Sequence, residues 1–272
     1  MNKIKILGVP FHTLTMEETL DTLETYLKEH KNHIVVTPNP EGVMQARRNP
    51  DFADAIINAD LSLADGIGII MAAKFKRLKI PGRVRGVDTA FGIFERLSNK
   101  AAASFSSTAD SSGNCERSLY QDTKQEFTVY LLGGEPGVAE RAKANIEEHY
   151  PGLTVVGFHH GFFGKEKSAE PFSLSEAEII DEINNLSPDI VLVSRGMPLQ
   201  ELWATKNRHI NTRITLCLGG TINILAGDVR LTPPLLRKLG LEWLHRLIRQ
   251  PSRAKRMLDI PRFVMAVIFS RG

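Results

Sequence analysis

The sequence has few of the residues and patterns that would place it in several common classes of protein. Only two of its 272 residues are cysteines, Cys115 and Cys217. They lie far apart and form no Cys-x-x-Cys pair, so neither a disulfide framework nor a zinc site is predicted, and a reducing cytosol fits. No apolar run approaches the roughly 18 residues that cross a bilayer, and the N-terminal segment has no apolar stretch long enough for a signal peptide. No Gly-x-Gly-x-x-Gly motif occurs, so a nicotinamide site receives little support.

Positive charge is concentrated in one part of the chain. Residues 228–272 hold ten Lys or Arg and three acidic residues, a net charge of +7, whereas the other 227 residues hold 24 basic and 28 acidic residues, a net charge of −4. A nearly neutral protein with a basic tail predicts an anionic partner for that tail. The length and the 42% hydrophobic content are typical of a soluble globular protein with one sizeable core, with or without an appendage.

Short apolar runs alternate with amphipathic segments along most of the chain. The runs are rich in Val, Ile and Leu, which is typical of strands buried on both faces. Their alternation with helical segments predicts an α/β protein with a mainly parallel sheet covered by helices on both faces. The predicted strands are residues 3–9, 33–36, 59–64, 128–132, 153–158, 189–194 and 214–218.

Two segments depart from this alternation. Residues 99–126 are rich in Ser, Thr and Asp and are predicted to be a flexible surface insertion, although residues 101–103 could extend the preceding helix. Residues 231–272 contain basic amphipathic stretches, including a helix predicted over 234–250. Such helices lie either in a membrane interface or on a protein core with a solvated basic face. The predicted organisation is a core over residues 1–230, which contains the insertion, and a basic helical appendage after it.

Two strand-to-helix junctions carry polar residues where open α/β sheets bind ligands. Thr37 and Asn39 follow the apolar run at 33–36, and Asp65 follows the run at 59–64. Because the carboxyl ends of parallel strands share one edge of a sheet, we expect these three side chains to lie near one another. Asn39 and Asp65 could equally be ordinary helix N-caps, since both residue types accept hydrogen bonds from the first helical amide groups.

A glycine-rich turn lies between the strand predicted at 128–132 and a helix predicted at 138–149. It reads GGEPG and includes Gly133 and Gly134. Glycines let backbone N–H groups approach phosphates, and the helix dipole favours an anion, so the turn is a candidate cradle for nucleotide phosphates. The alternative is a packing turn that binds no ligand.

Longer motifs resemble those of a known family. The stretch TPNPEGVMQARRNPDFADAIINAD at 37–60, followed by DGIG, is similar to the signature of the WecG/TagA/CpsF family of bacterial glycosyltransferases. Further similarity lies in LLGGEPGVAE, in PLQE, and in LAGDVR followed by RKLGLEWLHRLIRQPSR. The resemblance covers about residues 1–97 and 127–256 and is far more specific than a lone glycine loop.

The resemblance implies a Rossmann-like α/β core and an inverting enzyme that requires no metal or other cofactor. It implies transfer of N-acetylmannosamine from a UDP-sugar to N-acetylglucosamine diphosphate linked to undecaprenol, in the synthesis of wall teichoic acid or a related surface polymer. Such an enzyme is expected in the cytoplasm, peripheral on the inner face of an anionic membrane, with no nucleic-acid partner and with homo-oligomerisation left open. The alternatives are another UDP-sugar donor (N-acetylmannosaminuronic acid or glucose) and a non-catalytic module that binds nucleotides or lipid surfaces.

The resemblance also implies roles for individual residues. Asp65 matches the proposed general base, which would accept a proton from the attacking hydroxyl. No Asp-x-Asp motif occurs, so arginines are the candidates to stabilise the leaving diphosphate. The residues that match the family's pocket and its P-x-Q-E motif, near the nucleotide-sugar site, are Thr37, Asn39, Arg83, Gln200 and Glu201.

The appendage and two departures complete the predictions. Arg246, Arg249, Arg253 and Arg256 are expected to contact the membrane or the diphosphate, although ordinary surface charge also explains any one of them. Asn223 stands where many members have an acidic residue after Gly-Gly, so it could bind substrate but could not act as a base. Arg195 stands where an apolar residue is common, which could alter the choice of donor.

Overall fold

The computed structural model describes residues 1–106, 126–163, 174–238, 240–249, 251 and 254–270. Within these residues, a parallel sheet of six strands in the order β4-β3-β8-β7-β5-β6 forms the centre of the molecule, and helices pack on both faces. This confirms the predicted α/β class and the parallel sheet. The strands are β1 Lys3–Ile6, β2 Val9–His12, β3 His33–Val36, β4 Leu61–Ser62, β5 Phe127–Gly133, β6 Leu153–His159, β7 Ile190–Ser194 and β8 Ile214–Cys217.

Capping residues that are visible in the sequence explain where several helices begin. Thr15 and Ser175 each form a capping box, in which the cap hydroxyl accepts from a backbone N–H and a Glu three residues later accepts in return. These reciprocal bonds satisfy amide groups that a helix start otherwise leaves without partners. The helices are α1 Met16–Tyr26, α2 Pro40–Ala46, α3 Pro50–Ile57, α4 Ile67–Phe75, α5 Gly86–Ser106, α6 Val138–His149, α7 Glu176–Leu186, α8 Leu199–Lys206, α9 Thr221–Leu225, α10 Pro234–Lys238, α11 Glu242–Arg249, α12 Ala254–Met257 and α13 Asp259–Phe269.

The core has two layers, one on each face of the sheet. In β7, Val191 and Val193 enter one layer, and Ile190 and Leu192 enter the other. All four side chains are fully buried, and burial of each contributes about 1.5–3 kcal/mol. Burial on both faces is why this strand reads as a continuous apolar run instead of an alternating one.

The N-terminal segment differs from the single strand predicted over residues 3–9. There, β1 and β2 form a separate antiparallel hairpin. Its turn lies at Leu7 and Gly8, whose φ angles are 51° and 89°. Glycine adopts positive φ readily, so Gly8 was the local signal of a turn, whereas positive φ is rare at a leucine and Leu7 offered none.

Helix α5 extends through the start of the predicted insertion. Its Ala101 is 5% exposed, and a Cβ atom at Gly152 would lie 2.2 Å from the Cβ of Ala101. The helix therefore packs closely on the turn before β6, and residues 101–103 extend it, as the alternative proposed. Residues 107–125 of the predicted insertion lie outside the described residues.

The described part of the C-terminal appendage consists of short helices, and the prediction of one continuous helix over 234–250 was wrong. Gly240, with φ of 71°, separates α10 from α11, and a Cβ there would lie 3.0 Å from Cγ2 of Ile67. Helix α13 packs on α2 and α4, where Phe263 and Val267 are 2% and 5% exposed and join one core layer. The appendage is thus packed on the core through α13.

The strand order creates a switch point in the sheet. The chain leaves β5 through α6 toward β6 on one side, and it leaves β7 through α8 toward β8 on the other side. Crossovers that diverge in this way open a crevice beyond the carboxyl ends of the two strands, where doubly wound sheets bind ligands. The topology therefore marks the β5–β7 boundary as a binding position.

Candidate active site

The carboxyl edge of the sheet gathers residues that are far apart in the sequence. Thr37 and Asn39 follow β3, Asp65 follows β4, Gly134 follows β5, and Asn223 lies in α9, after β8. Two clefts open along this edge. One lies beside β3 and β4, and the other lies at the switch point between β5 and β7.

The first cleft, named here the Asp65 cleft, brings Asn39, Asp65 and Arg83 together. Its volume is about 110 Å³, which is below the roughly 300–1,000 Å³ typical of small-molecule pockets, so it fits only part of a substrate. The C-terminal appendage closes one side of it. The lining also includes Glu41, Ile67, Glu242, Trp243, Met257 and Ile260.

The two possible N-caps in this cleft behave differently. Asn39 does cap α2, because its Oδ1 accepts a hydrogen bond of 2.9 Å from the backbone N–H of Gly42. The prediction that Asp65 is the N-cap residue is wrong, since the N-cap of α4 is Gly66 at φ of 92°. Asp65 lies one residue before the cap, partly exposed and on the cleft wall. Asp65 therefore does not occupy the N-cap position of α4.

Arg83 is held in the cleft by a residue of the appendage. Its Nη1 lies 3.1 Å from Oε2 of Glu242, and Nε of Arg85 lies 3.4 Å from the other carboxylate oxygen. Arg85 also pairs with Asp88 at 3.1 Å. The side chains of Arg83 and Glu242 are only 17% and 13% exposed, so solvent screens this pair less than a surface pair. Sequence reasoning missed Glu242 and Arg85, because no local pattern links segments so far apart in the chain.

Thr37 lies beneath the cleft instead of on its wall. It is 8% exposed, and a Cβ at Gly86 would lie 3.1 Å from its Oγ1 and 2.8 Å from Cδ2 of Leu218. Gly86 therefore allows the start of α5 to approach the end of β3 closely. The predicted substrate contact of Thr37 stays a prediction.

The second cleft, named here the switch-point cleft, has a volume of about 460 Å³, within the range of small-molecule pockets. Gly133 ends β5 with φ of 146°, and a Cβ there would lie 2.5 Å from the carbonyl oxygen of Ser194. Only glycine permits this approach of β5 to β7. The cleft is lined by Gly134, Glu135, Phe162, Phe163, Arg195 and Asn223, among others.

Arg195 forms part of the wall of the switch-point cleft. Its Nε donates to the carbonyl oxygen of Gly161 at 2.9 Å, and its guanidinium lies 3.7 Å from the centre of the Phe163 ring. An arginine over an aromatic face is stabilised by the ring quadrupole. Arg195, which was predicted to alter the choice of donor, is therefore held in a defined position on this wall.

Gln200 and Glu201 lie in the interior, each 1% exposed, and line neither cleft. Nε2 of Gln200 donates to Oε1 of Glu201 at 2.8 Å, and Oε1 of Gln200 accepts from the N–H of Gly196 at 3.1 Å. Burial raises the pKa of Glu201 to about 7, because an apolar interior disfavours its charged form. It also raises the pKa of the Cys217 thiol, with a smaller contribution from Glu201. The pair supports the loop after β7 from below.

The predicted basic contacts are described only in part. Arg249 ends α11, and Arg246 lies within it. Arg256 lies in α12 and lines a third, polar cleft of about 240 Å³ that also contains Arg48 and Arg262. Arg253 lies outside the described residues.

The described residues offer neither a metal site nor a membrane-spanning helix. They contain no group of three or more His, Cys, Asp or Glu side chains placed to hold a metal ion. None of the helices they form has the length and apolarity needed to cross a membrane.

A doubly wound parallel sheet, with polar clefts at its carboxyl edge and at its switch point, defines an α/β protein of the doubly wound class, in which ligands bind at these positions. The family model of the glycosyl transferase WecG/TagA/CpsF family matches residues 4–117 and 114–272, and the chain belongs to this family. This confirms the resemblance and the glycosyltransferase class.

Several curated relatives carry the same name, N-acetylglucosaminyldiphosphoundecaprenol N-acetyl-beta-D-mannosaminyltransferase. The protein from Bacillus spizizenii is 29% identical over 245 residues, which cover 90% of this chain and 82% of the relative. The protein from Bacillus subtilis is 25% identical over 263 residues, with 96% and 89% covered. The one from Staphylococcus aureus is 25% identical over 268 residues, with 97% and 92% covered.

Proposed function

We propose that this chain transfers N-acetylmannosamine from UDP-N-acetylmannosamine to N-acetylglucosamine linked through diphosphate to undecaprenol, with inversion at the anomeric carbon. The product serves the synthesis of wall teichoic acid or a related surface polymer. Family membership and the shared name of the relatives support the reaction class. The observation that carries the proposal is the partly exposed Asp65 carboxylate, which lines a cleft at the carboxyl edge of the sheet, one residue before the N-cap of α4.

Asp65 acts as the general base. Its carboxylate accepts the proton of the acceptor hydroxyl while the hydroxyl oxygen forms a bond to the anomeric carbon of the donor. The bond between that carbon and the β-phosphate oxygen breaks, and UDP leaves with the electron pair. Attack from the face opposite the leaving group inverts the configuration.

The donor binds along the edge of the sheet, with its nucleotide in the switch-point cleft. The volume of about 460 Å³ suits a nucleotide, and Gly134, which has no side chain, lets the nucleoside approach the backbone in this cleft. Three strand spacings, about 14 Å, separate this cleft from the Asp65 cleft, a span that an extended UDP-sugar bridges. Asn223 and Arg195 contact the donor from the opposite wall.

Arginine stabilises the leaving diphosphate without a metal. Arg83 already lies in the Asp65 cleft, paired with Glu242, and an incoming diphosphate competes with that carboxylate for the same guanidinium. Two parallel N–H bonds from a guanidinium suit a phosphate well. The basic appendage, including Arg249 and Arg256, faces the anionic inner surface of the cytoplasmic membrane, where the lipid acceptor resides.

The test is transfer from radiolabelled UDP-sugars to undecaprenyl-diphosphate N-acetylglucosamine in detergent. We expect transfer from UDP-N-acetylmannosamine, and slower or no transfer from UDP-N-acetylmannosaminuronic acid and UDP-glucose. Faster transfer from either competing donor would reassign the sugar. The absence of transfer from all three, with a folded protein that binds UDP, would favour a non-catalytic binding module.

A further inference from the structure

Helix α4 is apolar on its outer side as well as on its buried side. Ile69, Ala72 and Ala73 face the core, whereas Met71 and Phe75 are 64% and 58% exposed. With Ile67, which is 37% exposed, they recur every four residues and form one stripe on the helix. A surface helix normally presents polar residues outward, so this stripe is suited to a partner that covers it.

Helix α13 runs beside α4 and repeats the pattern. A Cβ at Gly68 would lie 3.9 Å from the Phe263 ring at one end, and Nζ of Lys76 donates to the carbonyl oxygen of Ser270 at the other. The two helices therefore lie side by side in the same direction. The outward residues of α13 are Val264, Met265, Ile268 and Phe269, which are 48%, 53%, 47% and 74% exposed.

These two stripes form one surface, named here the α4–α13 face. It begins at the mouth of the Asp65 cleft, because Ile67 lines that cleft and contacts Gly240. Trp243, which also lines the cleft, is 40% exposed. The apolar surface and the opening of the cleft are therefore contiguous.

The rim of the face is basic. Residues 66–82 contain four Lys or Arg and no Asp or Glu. Lys74, Arg77 and Lys79 are exposed at the end of α4 and just after it. An apolar patch with a basic rim matches a lipid surface with anionic headgroups. A two-fold contact between copies through this face would instead bring two basic rims together, which is unfavourable.

We infer that the α4–α13 face seats on the anionic bilayer, with its apolar side chains among the acyl chains and its lysines and arginines at the headgroups. The mouth of the Asp65 cleft then opens at headgroup level, where the diphosphate of a lipid-linked acceptor lies. The membrane contact thus includes a helix of the sheet core, α4, in addition to the basic appendage. The role assigned to the cleft rests on the proposed function, whereas the lipid contact does not.

The experiment uses the full chain and vesicles of phosphatidylglycerol and phosphatidylcholine. Met71→Glu with Phe75→Glu should weaken co-sedimentation with vesicles at least about tenfold. The matched control is Ile57→Glu with Leu186→Glu, since these residues are 50% and 39% exposed and lie before β4 and β7, at the opposite edge of the sheet. The control pair should bind vesicles like the wild type.

Activity provides a second readout that separates this inference from the proposed function. With acceptor embedded in vesicles, the α4 double variant should transfer sugar at least about tenfold more slowly; with a short-chain, water-soluble acceptor it should match the wild type. If the wild type transfers to neither acceptor, the proposed function fails, while the vesicle result still decides the docking face. If the α4 double variant has a lowered Tm in thermal unfolding, the double variant Met265→Glu with Ile268→Glu on α13 provides the same test.

Two outcomes would overturn the inference. One is vesicle binding at the wild-type level by the α4 double variant and by the α13 double variant. The other is a wild-type dimer that becomes monomeric in the α4 variant while vesicle binding stays the same, which would make the face a contact between two copies of the chain.

Discussion

The change Asp65→Asn tests the proposed base most directly. Asparagine preserves the shape of the side chain and can still form hydrogen bonds, but it cannot accept the proton of the acceptor hydroxyl. Loss of a general base costs about 10²- to 10⁴-fold in rate, and a 100-fold loss corresponds to about 2.7 kcal/mol of transition-state stabilisation. We therefore expect kcat to fall at least about 100-fold, with UDP-sugar binding only modestly changed.

The structure also sets the expected effect on stability. Asp65 is partly exposed, and the cap of α4 is Gly66, so the substitution removes no helix cap. Replacements at such positions change the free energy of unfolding by about 0.5 kcal/mol or less, which for a chain of this size shifts Tm by about 2 °C or less. The assay measures single-turnover transfer and thermal unfolding on the same preparation.

Near-normal turnover in a stable Asp65→Asn protein would refute the assignment and leave the cleft without its base. A large loss of stability would make the rate uninterpretable for this variant. Asp65→Ser, a second small polar replacement, then gives the comparison: a stable and slow serine variant supports the base, and a stable and fast one rejects it.

Three further predictions follow from buried or close-packed residues and from the absence of Asp-x-Asp. Burial raises the pKa of Glu201 from 4.5 to about 7, so between these pH values the folded protein retains a proton that the unfolded chain releases. The free energy of unfolding should therefore fall as pH rises from about 4.5 to 7. Urea unfolding of Glu201→Gln should show a smaller dependence of this free energy on pH, and the same pH dependence as the wild type would contradict the burial argument. Gly133→Ala should lower the free energy of unfolding by about 2 kcal/mol or more, because its Cβ would lie 2.5 Å from the Ser194 carbonyl oxygen. The control is Gly82→Ala, where no atom lies within 4 Å of the new Cβ and the Tm should stay near that of the wild type. Equal Tm values for the two variants would contradict the close approach of β5 to β7. Transfer should survive EDTA, whereas a complete loss that Mg²⁺ or Mn²⁺ restores would show that a metal is needed.

Much of the fold was predictable from short-range patterns in the sequence. The buried run of β7 and the Asn-Pro start of α2 were predictable, because burial on two faces and N-capping both leave short-range patterns. The order of the strands and the switch point were not predictable from spacing, since long-range pairing leaves no local mark. The turn at Leu7 was missed for a related reason: a leucine at positive φ is imposed by the surrounding packing.

Some residues of the candidate site were likewise predictable from the sequence, and others were not. Asn39, Asp65 and Arg83 were placed together because two of them follow parallel strands and because the motifs resemble a known family. Their partner Glu242 was missed, since it comes from an appendage whose path depends on the break at Gly240. Glu201 is the opposite case, a residue predicted to line the site that does not. A charged residue in a family motif suggests contact with the substrate, but the packing of α8 places Glu201 in the interior, where it is 1% exposed.

The packing of α13 on α2 and α4 has a consequence for the nascent chain. Cys217 ends β8, the last strand of the sheet, whereas α13 begins at Asp259. At about 5–20 residues per second, a ribosome takes about 2–8 s to synthesise the intervening segment. During that interval the surface that Phe263 and Val267 later cover is bare beside a sheet whose strands have all been made. An apolar patch that is exposed for seconds is a site where a chaperone binds or where two unfinished chains associate. The delay between synthesis of β8 and of α13 therefore exposes the nascent chain to aggregation.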